Sequence, residues 1–245
     1  MKKTDWKNCL TIYGRKTCEE ALQDKSLAIK KLHLADSNKP AAIIKHCLQL
    51  AEARGVEVIY HSKRELSFIS KNSKQDQGIA LDILSPKLSG IEDLNSDTAR
   101  HILLLDNITN PQNIGMIIRS VAAGYIDGLV IPEKGCATLG PLVIKASAGA
   151  IFKCPIYRCR NIQEALRAIS PQYQIASLDL AANAEFFQYA FDTPSCLVLG
   201  NETTGVSTIV KDTAQKALRI EMNNNVESLN VAVTAALIAF HPALR

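Results

Sequence analysis

Between residues 100 and 222 the chain repeats one pattern: an apolar run of strand length, a polar loop, then a helical stretch. The runs are HILLLD (101–106), GLVIP (128–132), CPIYRC (154–159), YQIASLD (173–179), CLVLG (196–200) and ALRIEM (217–222). Helical stretches fall between them, notably 112–123 and 161–169. Such alternation predicts a parallel sheet covered by helices. The last stretch, SLNVAVTAALIAF, is apolar on nearly every face, so it belongs in the core or in a subunit interface.

A smaller α/β rhythm comes first. Thr17-Cys18-Glu19-Glu20 reads as a capping box opening a short helix. AIKKLHLA (28–35), VEVIY (56–60) and GIALDIL (78–84) read as strands. Pro40 suits the first turn of a helix that runs through IIKHCLQLAEAR and stops at Gly55. KRELSFISK is a further helical piece. Residues 85–98, SPKLSGIEDLNSDT, have little periodicity and read as a linker. The expected division is 1–85, a linker over 86–98, and 99–245. On that division a fragment starting near Asp97 is expected to fold by itself.

Charge follows the same division. Residues 1–85 hold 15 Lys and Arg against 10 Asp and Glu, net +5; the remainder holds 13 against 14, net −1. A basic first third points to a polyanionic partner, with Arg15-Lys16, Lys30-Lys31 and Lys63-Arg64 as the candidate clusters that would grip it. No apolar run reaches the roughly 18 residues of a membrane span, and the basic start lacks a signal-peptide core, so a soluble cytoplasmic protein is expected. Seven cysteines without a C-x-x-C pair read as small apolar residues, and no metal site is expected.

One stretch poses a chemical question. LVLGNETTGVS (197–207) is nearly a phosphate-binding loop, but Val206 stands where that loop needs lysine. Glu202 would also face an anion with like charge. A nucleoside triphosphate is therefore a poor ligand. A glycine after a strand still lets backbone approach a ligand beyond the carboxyl end of a sheet.

Two further stretches stand beside it. LLLDNITNPQNIGMIIRS (103–120) crowds Asn107, Asn110, Pro111 and Asn113 into a loop ahead of a helix carrying Arg119. IEMNNNVESLNVAVTAA (220–236) ends a strand in an asparagine-rich loop, with Ser228 placed to cap the final helix. The three together resemble the SpoU (TrmH) family of RNA ribose 2′-O-methyltransferases, within the SPOUT superfamily. The matching elements are N-x-x-x-x-x-R from Asn113 to Arg119, strand-G-x-E-x-x-G at Gly200, Glu202 and Gly205, and S-L-N-V at Ser228, Leu229, Asn230 and Val231. More loosely, YGRKTCEEAL (13–22) and QGIAL (77–81) look like the substrate-binding domain that many members carry in front.

The resemblance implies a fold: a small N-terminal α/β RNA-binding domain, then a SPOUT-type parallel-sheet domain with a C-terminal trefoil knot, assembled as a homodimer. It implies S-adenosyl-L-methionine as cofactor, which has no phosphate and so needs no lysine. Backbone at Leu199, Gly200, Ile220, Met222 and Leu229 would hold it. It implies no metal, because the sulfonium already activates the methyl group. Arg119 matches the family's candidate base; since a guanidinium stays protonated in proteins, its expected part is to grip RNA phosphate and polarise the 2′-hydroxyl. Asn113, Glu202, Ser228 and Asn230 would shape the site.

The implied substrate is rRNA rather than tRNA, most simply a guanosine of 23S rRNA. Two rivals stand beside this reading: a tRNA ribose methyltransferase, and an RNA-binding relative without transfer activity. The second draws on one departure, Glu221 where the family usually has proline and Asn223-Asn224-Asn225 where a glycine loop is usual. If Glu221 crowds the cofactor loop, Glu221→Pro should tighten cofactor binding.

Overall fold

A computed structural model describes residues 9–84, 88–224 and 226–245. Asn225 of the asparagine run and residues 85–87 of the expected linker lie outside the described residues. The chain forms two compact units: residues up to 87 together with 139–152, and residues 88–138 together with 153–245.

The first unit is built from β1 (Cys9–Tyr13), α1 (Arg15–Gln23), β2 (Ile29–Ala35), α2 (Ala42–Ala53), β3 (Glu57–His61), α3 (Lys63–Ser70) and β4 (Ile79–Leu84). Its four strands lie in the order β1-β4-β2-β3, with β4 antiparallel to both neighbours and β2 parallel to β3. Helix α1 starts two residues before the expected capping box. Gly14 occupies the N-cap at φ 95°, a conformation open to glycine, and supplies no side-chain cap. Thr17 is buried inside the helix instead. The capping box of this unit is at α3, where the Ser62 hydroxyl accepts from the Glu65 N–H and the Glu65 carboxylate accepts from the Ser62 N–H at 2.9 Å.

The second unit opens with β5 (Ser89–Gly90), β6 (His101–Leu105), α4 (Pro111–Ala123) and β7 (Gly128–Pro132). Helix α5 (Pro141–Ala146) belongs to the first unit, where it packs on β1 and α1. The second unit resumes with β8 (Ile156–Cys159), α6 (Ile162–Ile169), β9 (Gln174–Leu178), β10 (Ala184–Glu185), β11 (Ser195–Leu199), α7 (Thr208–Thr213), β12 (Lys216–Arg219) and α8 (Val231–Ala239). Its sheet runs β10-β12-β9-β11-β6-β7-β8-β5, and every recorded pairing is parallel.

Two expectations need correction. The stretch read as a linker is structured from Leu88: β5 pairs with Tyr157 and Arg158 of β8, and Ile91 and Leu94 are buried in the core with Ile102, Leu104 and Val130. Its apolar residues are too few to show a period, yet each covers the sheet. Helix α8 buries one face in the unit's core and leaves the other open, as the alternative of a subunit interface allows. Val231, Ala232, Ala235, Ile238 and Ala239 face inward and α8 packs on α4, but Val233 and the C-cap residue Phe240 are exposed. Ser228 does not cap this helix; the Asn230 side chain does, accepting from the Ala232 N–H at 2.9 Å. No helix among the described residues is long and apolar enough to cross a membrane, and no described His, Cys, Asp or Glu side chains cluster in groups suited to a metal.

Candidate active site

The site lies in the second unit, at the carboxyl ends of parallel strands, where α/β sheets bind ligands. Three loops make it, and each is shaped by its own sequence.

The first loop leaves β6. Asp106 is almost fully buried, and its Oδ2 accepts from the Ser207 N–H at 2.6 Å, tying this loop to the turn after β11. Asn107 takes the left-handed conformation at φ 59°, which asparagine tolerates. Asn110 caps α4, with Pro111 at its first turn. Asn113 then sits in the first turn of α4, buried. Arg119 lies further along the same helix, exposed, with no hydrogen bond or ion pair to a described residue.

The second loop follows β11. A Cβ added at Gly200 would lie 2.3–2.4 Å from backbone atoms of Gly205 and Val206. Only glycine allows the loop to fold back so closely. The closure is a pair of backbone bonds, Asn201 N–H to Gly205 O at 3.0 Å and Gly205 N–H to Asn201 O at 2.9 Å. Gly205 completes it at φ 67°. Val206 turns inward, 4% exposed, into the hydrophobic core. The position that carries lysine in a phosphate loop is therefore part of the protein interior here, and a charge there would be buried without a partner.

The third loop follows β12. Ile220 is buried and Met222 half-buried, while Glu221 between them is exposed. Asn224 adopts φ 56°, doing the work of the expected glycine.

Asn113 joins all three. Its amide N–H donates to the Glu202 carboxylate of the second loop, and its carbonyl accepts from the Asn230 amide of the third at 3.3 Å. The spacing along the chain, 89 and 117 residues, gives no hint of this.

Beside this junction lies a pocket of about 270 Å³. Leu199, Gly200, Ile220, Met222 and Leu229, the five residues matched to cofactor binding, all line it, as do Glu202 and Ser228. Asn113, Arg119 and Asn230 are not in its wall, although Asn113 and Asn230 reach it through Glu202. Glu221 is also outside the wall. Sequence reasoning missed Leu178, Asp179 and Leu180 at the end of β9, and Lys211 of α7. Only the apolar run of β9 followed by Asp179 could have suggested them. Asp179 bonds the Ala181 N–H and pairs with Lys211 at 3.0 Å; these hold its carboxyl below the usual range. Among the described residues Lys211 is the one cation in the wall, and it is engaged. The pocket thus offers an apolar slot with a polar, acidic rim and no free cation for a phosphate.

Comparison with known proteins agrees with this geometry. Residues 100–240 match the model of the SpoU rRNA Methylase family, and residues 11–88 match that of the RNA 2′-O ribose methyltransferase substrate-binding domain. A protein of Mycolicibacterium gilvum named as an uncharacterized tRNA/rRNA methyltransferase is 29% identical over 97% of this chain and 76% of its own. A crystal structure of an RNA 2′-O ribose methyltransferase superposes with a TM-score of 0.80 at 22% identity, covering 97% of this chain and 88% of that one. The SpoU methyltransferase AviRb of Streptomyces viridochromogenes, solved with AdoMet, gives 0.78 at 21% identity, covering 97% and 89%. With the matched model spanning every strand of the sheet but β5, the three loops and the pocket, the chain belongs to the SpoU rRNA Methylase family.

Proposed function

We propose that this protein is an S-adenosyl-L-methionine-dependent ribose 2′-O-methyltransferase of structured RNA, acting as a cytoplasmic homodimer, with a guanosine of 23S rRNA as substrate. One observation carries the reading. The three separate motifs meet through Asn113 at the mouth of a pocket whose wall contains every residue matched to the cofactor. The fit is chemical as well. An apolar slot suits adenine and the methionine chain, the acidic rim of Asp179 and Glu202 suits a sulfonium cation, and Val206 in the core suits a ligand without phosphate.

When bound, S-adenosylmethionine supplies a methyl group already activated by positive sulfur. Leu199, Gly200, Ile220, Met222 and Leu229 hold it. Arg119, exposed and unpaired, is free to grip an RNA phosphate and to hold the 2′-hydroxyl oxygen in line. Asn113 keeps Glu202 and Asn230 in register with the pocket, and Ser228 closes its wall. Exposed Met116 on α4 and Val233 and Phe240 at α8 support a partner subunit on this side of the unit. Relatives named for both tRNA and rRNA keep a tRNA substrate as the second reading.

The test is direct. The protein is incubated with methyl-labelled cofactor and total RNA from a strain lacking it, and the new 2′-O-methyl group is mapped. Label at one guanosine of 23S rRNA is expected. Label in tRNA would select the second reading. Protein that neither labels RNA nor binds cofactor would be a non-catalytic RNA-binding relative.

A further inference from the structure

The first unit carries a groove of about 470 Å³ that none of the three motifs uses. It is lined by Arg15 at the start of α1, Lys39 before α2, Lys63 at the start of α3 and Lys74 before β4. Four cations from four segments, 59 residues apart at the extremes of the sequence, thus face one space. Lys39, Lys63 and Lys74 are exposed and make no hydrogen bond or ion pair with a described residue. Of the clusters prominent in the sequence, Arg15 and Lys63 line the groove, but Lys16 and Lys31 do not. Lys16 pairs with Glu19 and Glu20 at 2.8 and 3.0 Å, and Lys31 pairs with Glu57 at 3.3 Å.

The groove is held in shape from below. Its one carboxylate among the described residues, Asp76, is buried and turned inward, accepting from the Ser70 hydroxyl and the Gly78 N–H at 3.0 Å each. Gln77 sits at φ 56°, fixed by bonds from the Arg15 N–H to its Oε1 at 2.9 Å and from Arg15 Nε to its carbonyl at 3.1 Å. The Asn38 amide donates to the Gly78 carbonyl at 2.7 Å. Strained backbone held by surrounding bonds is a mark of a preorganised ligand site. Arg15 keeps its terminal guanidinium nitrogens for a ligand.

We infer that this groove is the RNA grip of the first unit, and that it holds phosphodiester backbone rather than bases. The inference rests on the reading of the protein as an RNA-modifying enzyme. Unpaired lysines around a fixed cradle match phosphate. No aromatic side chain among the described residues lines the groove, so these residues offer no platform on which a base could stack. Contacts of this kind position RNA without reading its sequence.

The experiment compares two full-length triple variants that lose the same charge from the same unit. One removes groove cations, Lys39→Ala, Lys63→Ala and Lys74→Ala. The other removes the sequence clusters, Lys16→Ala, Lys30→Ala and Lys31→Ala. Affinity for transcribed 23S ribosomal RNA is measured against salt, with the thermal unfolding curve of each variant as a check that the first unit is folded. The groove variant should lose affinity about tenfold or more, with a slope of log K on log salt flatter by about 2, from three contacts at about 0.7 each. The cluster variant should lose less than about threefold, because Lys16 and Lys31 are spent on internal pairs and none of its three cations lines the groove. Equal losses would mean a diffuse field and overturn the groove, as would an unchanged groove variant. If the unaltered protein binds cofactor but shows no salt-dependent RNA affinity, the functional reading itself falls, and the groove with it.

Discussion

Arg119 and Asn113 lie on the same helix, α4, and differ in role. Asn113 is buried and committed at both ends of its amide, whereas Arg119 is exposed and uncommitted. Arg119→Ala should therefore leave the thermal midpoint and cofactor affinity nearly unchanged, yet slow methyl transfer by about 10²-fold or more, the scale for a positioned catalytic group. Single-turnover transfer to RNA measures this, and near-normal turnover would remove Arg119 from the mechanism. Glu221 invites the opposite expectation. In the sequence it stands where proline is usual and so looks like an obstruction. In the fold it is exposed, outside the pocket wall, between the two residues that do line it. Glu221→Pro should then shift S-adenosylmethionine affinity by less than about twofold by titration calorimetry, since an exposed side chain makes little packing difference. A clear tightening would show that the loop is held off by Glu221 after all.

At the scale of elements, what the sequence made legible followed burial. HILLLD, GLVIP and CLVLG became β6, β7 and β11 within one residue at each end, because a continuous apolar run has few places to go except a sheet interior. β1 escaped, since CLTIY follows a lysine-rich start and buries only its last two residues. The start of α1 was misplaced because its cap is a glycine, which leaves no side-chain signature. The RNA clusters were chosen as neighbours in sequence, but the fold neutralises Lys16 and Lys31 and gathers Lys39 and Lys74 from separate loops. Folding-back of the second loop was half legible: the two glycines were visible, the contact between them was not. That contact makes Gly200→Ala a sharp test. The new Cβ meets backbone at 2.3–2.4 Å, which cannot yield as a side chain would. The substitution should destabilise the second unit by about 2 kcal/mol or more, and weaken cofactor binding at least about tenfold because the loop must open. Denaturant unfolding and calorimetry read the two effects, and an alanine variant with both values unchanged would mean that the loop has room to spare.

The whole molecule is not divided where its sequence suggests. Residues 139–152 lie deep in the second half of the chain yet belong to the first unit, where Val143, Ile144 and Ile151 are buried and Lys145 lies 5.5 Å over the Tyr13 ring. Ile91 and Leu94, read as linker, belong to the core of the second unit. A fragment beginning near Asp97 therefore fails twice: it lacks two core residues and exposes three others. Even a fragment beginning at Leu88 strands Val143, Ile144 and Ile151 in water. At about 1.5–3 kcal/mol for each buried aliphatic side chain, the loss is on the order of 5 kcal/mol, comparable with the whole stability of many domains. The 88–245 fragment should aggregate or melt far below the full chain, and bind a hydrophobic dye. A second fragment carrying Val143→Thr, Ile144→Lys and Ile151→Ser separates exposed surface from a missing core. If only the surface is at fault, it should stay soluble, unfold cooperatively and keep S-adenosylmethionine affinity within about threefold of the full chain, since every residue of the pocket wall lies between 178 and 234. An unaltered 88–245 fragment that melts like the full chain would overturn this, by showing that residues 139–152 stand without the rest of the first unit.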